Sequence, residues 1–263
     1  MDKPAIFAVT DLGARLASLI AKTTGGDLFL PEKLVNGNSI TYKGSLSSFV
    51  KQIFGNYRHM IFVMALGIVS RVIAPHIRSK YTDPAVVVVD ESARYVISLL
   101  SGHEGGANKL AFFISSLTGA TPVLTTASEA NKVYIMGVGC RKFTSSDSII
   151  HAVTTACDMA NIETKALRCL ASVDIKKDEH GLFEAAEMLG LNLRFIPKWM
   201  LPYASGLYKE SDFVYSKIGI GGACEPSALL AGRNTSLVLK KQVIGPVTVA
   251  LAKEELYHST NRL

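Results

Sequence analysis

Residues 101–108, Ser-Gly-His-Glu-Gly-Gly-Ala-Asn, set a serine, a histidine, a carboxylate and an asparagine among three glycines. Histidine is the residue type whose charge changes near neutral pH, which proton transfer in water requires. Glycines bare their backbone amides. Just before a helix, such amides favour an anion through hydrogen bonding and the helix dipole. An amide pair at Gly105 and Gly106 with the His103 imidazole therefore suits attack of water on an ester, the ring removing a proton while the amides hold the oxyanion. Asn108 is placed to fix a substrate carbonyl, and Ser101 to donate or accept beside it. The same string also reads as a glycine-rich strand-to-helix turn whose histidine only caps, and the local pattern leaves both readings open.

Two more loops have a comparable form. "GVGCRKFTSSD" (137–147) opens with Gly-x-Gly, but the third glycine of a nucleotide fingerprint is missing, and no Gly-x-x-x-x-Gly-Lys-[Ser/Thr] string occurs anywhere. Arg141 and Lys142 suit carboxylates, Arg141 in bidentate fashion. Cys140 beside them is a nucleophile only if its thiol pKa is depressed. "GIGGACEPS" (219–227) is a glycine turn opening a helix. Lys176 and Lys177 precede a further helix and are placed to reach a ligand, while Asp178 and Glu179 read as a helix start. Asp83, Asp90 and Glu91 read as turn and cap residues. Trp199, Tyr203 and Tyr208 either line a flat ligand or pack in the core, and core packing is the expectation. The remaining histidines have no partner at ligand spacing, so a protein-held metal is not expected.

Strand-like and helix-like segments alternate around these loops. "AIFAVT", "DLFLP", "HMIFVMAL", "AVVVVD", "YVISLL" and "TPVLTT" read as strands. Between them, a helix capped by Asp11 is expected to present Leu12, Leu16, Leu19 and Ile20. "SLSSFVKQIF" and "GIVSRVIAPHI" are short helices, the latter ended or kinked by Pro75. After the glycine loop, Ala107, Leu110, Ala111, Ile114 and Leu117 share one helical face. A second unit begins at "KVYIMGVGC" and closes with "TSLVLKK" and "PVTVALAKE" as strands; "SEAN" (128–131) is a linker of almost no length. The expected fold class is α/β: two tandem α/β domains, residues 1–128 and 132–263, each a mostly parallel sheet flanked by helices. In such sheets ligands gather at the carboxyl ends of strands.

Composition bounds the rest. The longest apolar run, Met60–Val69, is far short of the roughly 20 residues a spanning helix needs. The N-terminus lacks the order of a signal peptide, so a cytoplasmic protein without membrane contact is expected. Four cysteines without a Cys-x-x-Cys pair argue against a zinc knuckle, a redox dithiol or a disulfide framework. The net charge is +6, with 12 basic and 9 acidic side chains up to residue 130 and 16 and 13 after it. This even spread, without an arginine-rich helix or basic tail, points away from nucleic acid and towards an anionic small molecule.

"GIVSRVIAPHIRSKYTDPAVVVVDE", "VISLLSGHEGGANKLA" and "TPVLTTASE" closely resemble the N-terminal domain of the CbiG family of cobalamin biosynthesis, the cobalt-precorrin-5A hydrolases. "GVGCRK", "SVDIKKDEHGL" and "GGACEPSALLA" look like that family's C-terminal domain, which also occurs alone in CobE-type proteins. The resemblance implies a hydrolase that opens the ring-A δ-lactone of cobalt-precorrin-5A and releases acetaldehyde. It implies no cofactor, since the cobalt arrives inside the corrinoid substrate. On this reading His103, Gly105, Gly106, Asn108 and Ser101 are catalytic. Gly67, Arg71, Arg78, Gly139, Cys140, Arg141, Lys142, Lys176, Lys177, Gly221, Gly222 and Glu225 bind the acidic macrocycle. The alternative is a corrinoid-binding or carrier module without turnover, and a homodimer is compatible with either. Three departures stand out. The family's middle segment is lacking, Thr126 leading almost directly to Lys132. Phe143 stands where a glycine is frequent, and His180 where a proline is common, which argues against His180 in catalysis.

Overall fold

The computed structural model describes residues 2–34, 37–208 and 222–255. The chain divides into two units, Met1–Thr126 and Ala127–Leu263.

In the first unit, β1 (Ala5–Ala8), α1 (Asp11–Thr24), β2 (Asp27–Pro31), β3 (Ile40–Tyr42), α2 (Leu46–Ile53), β4 (His59–Val63), α3 (Leu66–Ile73), β5 (Ala85–Val89), β6 (Tyr95–Leu100), α4 (Ala107–Thr118) and β7 (Thr121–Val123) follow one another. The strands form one sheet in the order β3-β2-β1-β4-β5-β6-β7. β1 and β5 are buried along their whole length and β4 from Met60 to Val63, as continuous apolar runs in a sheet covered on both faces must be. One face carries Ile6, Ile61, Val87, Ala17, Ile20, Leu110 and Ile114. The other carries Phe7, Phe29, Phe62, Val50, Val69 and Ile73, with the Phe7 and Phe62 rings stacked at 4.6 Å.

The face of α1 differs from the expectation. Thr10, not Asp11, caps it, its hydroxyl accepting from the Gly13 N–H. Gly13, Ala14 and Ala17 face the sheet, while Leu12 and Leu19 are 52% and 48% exposed. The cause is close approach: a side-chain carbon on Gly13 would stand 2.9 Å from the Val63 carbonyl oxygen. Only small residues fit there. The strand β3 was also not expected; it is three residues long, at the sheet edge.

In this sheet β1–β2, β1–β4, β2–β3, β4–β5 and β6–β7 run parallel, but β5 and β6 run antiparallel. Leu100, at the end of β6, pairs with Val86 at the start of β5. The loop that follows Leu100 therefore leaves at the amino ends of β4 and β5. Gly67, at the start of α3, follows the carboxyl end of β4. This reversal divides the expected site.

The second unit contains α5 (Ala127–Ala130), β8 (Tyr134–Cys140), α6 (Ser146–Met159), β9 (Leu167–Val173), α7 (His180–Met188), β10 (Asn192–Ile196), α8 (Cys224–Leu230), β11 (Thr235–Ile244) and β12 (Val247–Glu254). The stretch expected as a linker is thus largely the short helix α5, with Glu129 buried and bound to Lys132 at 2.9 Å. The sheet order is β10-β9-β8-β12-β11. β10, β9 and β8 are parallel, while β12 and β11 pair antiparallel. The fold class is α/β throughout, but the mostly parallel sheet belongs to the first unit and the second sheet is mixed. The hairpin at Gly245 (φ 57°) returns the chain beside β8 and produces that mixture.

The Gly-x-Gly of β8 has a packing role. A side-chain carbon on Gly137 would collide with the backbone carbonyl of Cys224, and one on Gly139 would lie 2.6 Å from Thr248 Oγ1. Both glycines let the start of α8 and strand β12 close on β8.

Candidate functional site

The loop 101–106 is built by its own backbone. Ser101 adopts a left-handed conformation (φ 56°), and its carbonyl accepts from the N–H groups of Gly105 (3.1 Å) and Ala107 (3.2 Å). A side chain on Gly105 would run into Ser101. Gly106 (φ 89°) then opens α4. The Ser101 hydroxyl is buried and donates to the Asp83 carbonyl at 3.1 Å. The Asp83 carboxylate accepts from the backbone N–H groups of Arg78 (2.8 Å) and Ser79 (2.9 Å). Asp83 is thus a turn residue, as expected, and it ties the segment before β5 to the glycine loop.

Asn108 is also buried, its amide donating to Thr126 Oγ1 at 3.0 Å. Asn108 Oδ1 and Ser98 Oγ are buried without a hydrogen-bond partner. Both border Gly102, whose missing side chain would stand 3.0 Å and 3.4 Å from them and 2.9 Å from Thr126 Cγ2.

These contacts revise three of the five expected catalytic roles. Ser101 and Asn108 are buried and hold the loop from within. Gly105 gives its amide to Ser101. His103 is exposed, and among the described residues the Gly106 N–H donates to no backbone acceptor.

Both line a cleft of about 430 Å³, whose other walls include Arg58, His59, Tyr81 and Lys109. Tyr57 lines it as well, its hydroxyl donating to Asp27 at 2.8 Å; burial, then that partner, pushes the phenol up to about 12. Burial pushes the half-buried His59 imidazole down, against the opposing pull of Asp2. At the rim, Glu104 pairs with Lys80 at 2.6 Å, and this hydrogen bond holds its carboxyl below the usual range. Sequence reasoning missed Tyr57, Arg58, His59, Tyr81 and Lys109. The missing signal was direction: β5 and β6 are joined by only five residues, too few for a parallel crossover.

Gly67 and Arg71 are exposed on α3, which follows the carboxyl end of β4, whereas the glycine loop lies at the amino ends of β4 and β5. The Arg78 side chain is exposed and is not part of the cleft wall.

In the second unit, the loop after β8 and the turn after β9 lie at the carboxyl ends of parallel strands, as expected. Arg141, Lys142 and Lys177 are exposed there. Lys176 is half-buried in an ion pair with Glu179 at 3.1 Å, so its charge is already matched. Burial raises the Cys140 thiol despite the nearby Lys176, which removes the premise of a thiolate nucleophile. Gly139 is buried by packing. Glu225 is buried, and its carboxylate accepts from the Lys241 N–H at 3.2 Å, a brace for β11 rather than a substrate contact. Gly222 lies beside the Tyr208 ring, and Gly221 lies outside the described residues. Trp199 and Tyr203, expected in the core, are exposed. Among the described residues no group of three or more His, Cys, Asp or Glu is arranged to hold a metal ion, and no helix is long and apolar enough to cross a membrane.

Two family profiles cover this chain. Residues 48–129 match the one described as Cobalamin synthesis G N-terminal, and residues 134–252 match Cobalamin synthesis G C-terminus. The chain belongs to the CbiG family. It is 43% identical over 129 residues to a cobalt-precorrin-5A hydrolase of Salmonella typhimurium, a match spanning 49% of this chain and 37% of that protein. It is 24% identical to a cobalt-precorrin-5A hydrolase of Priestia megaterium over 352 residues, 94% of each chain. That alignment is longer than the 263 residues here, so the Priestia protein carries sequence that this chain lacks. Protein CobE of Sinorhizobium is 29% identical over 131 residues, 49% of this chain and 85% of that protein.

Two CbiG-family departures acquire physical meaning here. Phe143, where glycine is frequent, has φ 61°, a conformation that favours glycine. His180, where proline is common, is the first residue of α7, where a missing N–H costs nothing.

Proposed function

We propose that this chain is a hydrolase of cobalamin biosynthesis that opens the ring-A δ-lactone of cobalt-precorrin-5A with water, the two-carbon fragment leaving as acetaldehyde and cobalt-precorrin-5B as the product. The observation that carries this reading is the cleft of about 430 Å³ in which His103 and Gly106 stand together. His103 takes the proton from water as its oxygen attacks the lactone carbonyl, and the Gly106 N–H donates to the oxyanion that forms. Collapse of that oxyanion breaks the acyl C–O bond, leaving a carboxylate and a hydroxyethyl group. That alcohol, on losing its proton, breaks its C–C bond to the ring and leaves as acetaldehyde while the ring carbon takes up a proton. Ser101, Gly105 and Asn108 act one step back, by fixing the loop. Cobalt enters and leaves as part of the substrate. The relatives named cobalt-precorrin-5A hydrolase support the reaction class.

A second reading, a corrinoid-binding module without turnover, draws on one observation. The His103 ring has no hydrogen-bond partner among the described residues, whereas a general base is usually oriented by one. Anaerobic incubation of the purified protein with cobalt-precorrin-5A separates the two. Acetaldehyde formed in step with loss of the lactone supports the hydrolase. A change in the corrinoid's visible spectrum on mixing, with no acetaldehyde, supports the carrier.

A further inference from the structure

The cleft of the first unit is lined by two cations and two carboxylates that are not paired with one another. Its basic side chains are Arg58 and Lys109, with His59 and His103 beside them. Its two carboxylates are engaged elsewhere: Asp83 caps the backbone of Arg78 and Ser79, and Glu104 pairs with Lys80. The Arg58 side chain pairs with Asp2 at 3.4 Å, both side chains exposed, and Lys109 has no ion pair among the described residues.

The position of Lys109 is itself unfavourable without a partner. It is the third residue of α4, a helix whose first turn holds no acid and whose cap, Gly106, supplies no side-chain acceptor. A cation at the positive end of a helix dipole is unfavourable, and an anion placed beside it reverses the sign of the interaction. Arg58 precedes β4 and Lys109 opens α4, so two separate elements bring positive charge to one cavity.

We propose that Lys109 and Arg58 are the specificity residues of this cleft, each taking a peripheral carboxylate of a multiply acidic ligand. Taken with the reading above, on which it rests for the ligand's identity, these are side-chain carboxylates of the macrocycle. Lys109 contributes a point charge reinforced by the α4 amides, and Arg58 a planar fork suited to bidentate contact.

The test is a titration of the full chain with uroporphyrin III, a metal-free ring bearing eight carboxylates, followed by its visible absorption. Lys109→Gln and Arg58→Gln should each weaken binding about tenfold or more, the size expected for one charge-assisted hydrogen bond. Each should also flatten the dependence of Kd on salt. Lys109→Arg should retain most of the affinity. Lys109→Glu should weaken binding further while raising the melting temperature, because it places an acid in the first turn of α4. A purely structural lysine would move affinity and stability in the same direction. Lys22→Gln, in the last turn of α1 and outside the cleft wall, should leave this binding unchanged. Absence of uroporphyrin binding by the wild type, or equal Kd values for the wild type and the Lys109→Gln/Arg58→Gln double variant, overturns the proposal. So does loss of binding in Lys22→Gln. Acetaldehyde release keeps the two ideas apart. If the wild type hydrolyses cobalt-precorrin-5A but Lys109→Gln leaves KM unchanged, the clamp fails and the hydrolase stands. If ring binding depends on both residues and no acetaldehyde appears, the clamp stands and the hydrolase fails.

Discussion

Phe143 holds a left-handed backbone (φ 61°) with its side chain 95% exposed, and its N–H donates to Glu179 Oε2 at 3.0 Å. A non-glycine residue in this region costs roughly 1–2 kcal/mol. Glycine avoids that cost but loses about 0.5–1 kcal/mol of chain entropy on folding. The exposed ring contributes little packing to set against the change. Phe143→Gly should therefore stabilise the second unit by about 0.5–1 kcal/mol, a rise of roughly 2–5 °C in melting temperature for a unit of this size. Phe143→Ala separates backbone from side chain, since it removes the ring and keeps the strain, and it should melt close to the wild type. Thermal unfolding followed by fluorescence reports on this unit, because Trp199 is the only tryptophan in the chain. Equal stabilisation by alanine and glycine would show that the ring, not the backbone, is the liability, and would refute the argument from φ.

Gly137→Ala should cost the second unit roughly 3 kcal/mol or more, a strained over-packing, because the new methyl collides with the Cys224 backbone rather than with a movable side chain. Chemical denaturation would check it, with exposed Gly190→Asn, at a left-handed position with open space, as the mild comparison. The acid limb of stability should depend on Glu179. Burial alone would raise its carboxyl, but the Phe143 N–H and Lys176 outweigh this and hold it low. Its contribution is therefore complete above the ordinary glutamate pKa and is lost as pH falls through the lower folded value. Glu179→Gln should flatten the melting temperature against pH below roughly pH 4.5, as read by thermal melts in graded acid buffers.

The alternation of strands and helices, the apolar face of α4 and the glycine loop as a cleft wall were all legible in sequence. Each rests on a local pattern: continuous apolar runs, helical spacing, or glycines ahead of a helix. What local pattern could not supply was direction and close approach. The short turn from Val89 to Tyr95, where Asp90 accepts from the N–H groups of Arg94 and Tyr95, reverses β6. That reversal carries the glycine loop away from Gly67 and towards Arg58 and His59, residues that nothing in their neighbourhood marked. Gly137 and Gly139 resemble a phosphate cradle in sequence because the same property, room for a backbone, also lets a helix seat on a strand. Ser101, Asn108 and Glu225 have the chemistry of substrate contacts, but burial turns that chemistry inward, onto Asp83, Thr126 and the Lys241 N–H.

The central claim is that water attacks the lactone in the cleft beside His103. Its most direct test is the rate of acetaldehyde release from cobalt-precorrin-5A by the wild type and by His103→Ala, under anaerobic conditions at saturating substrate. The account predicts release by the wild type and a fall in kcat of about 100-fold or more in the variant, the usual share of a general base. His103 is exposed and has no hydrogen-bond partner among the described residues, so the variant should melt like the wild type. A folded His103→Ala protein that releases acetaldehyde at the wild-type rate would contradict the account.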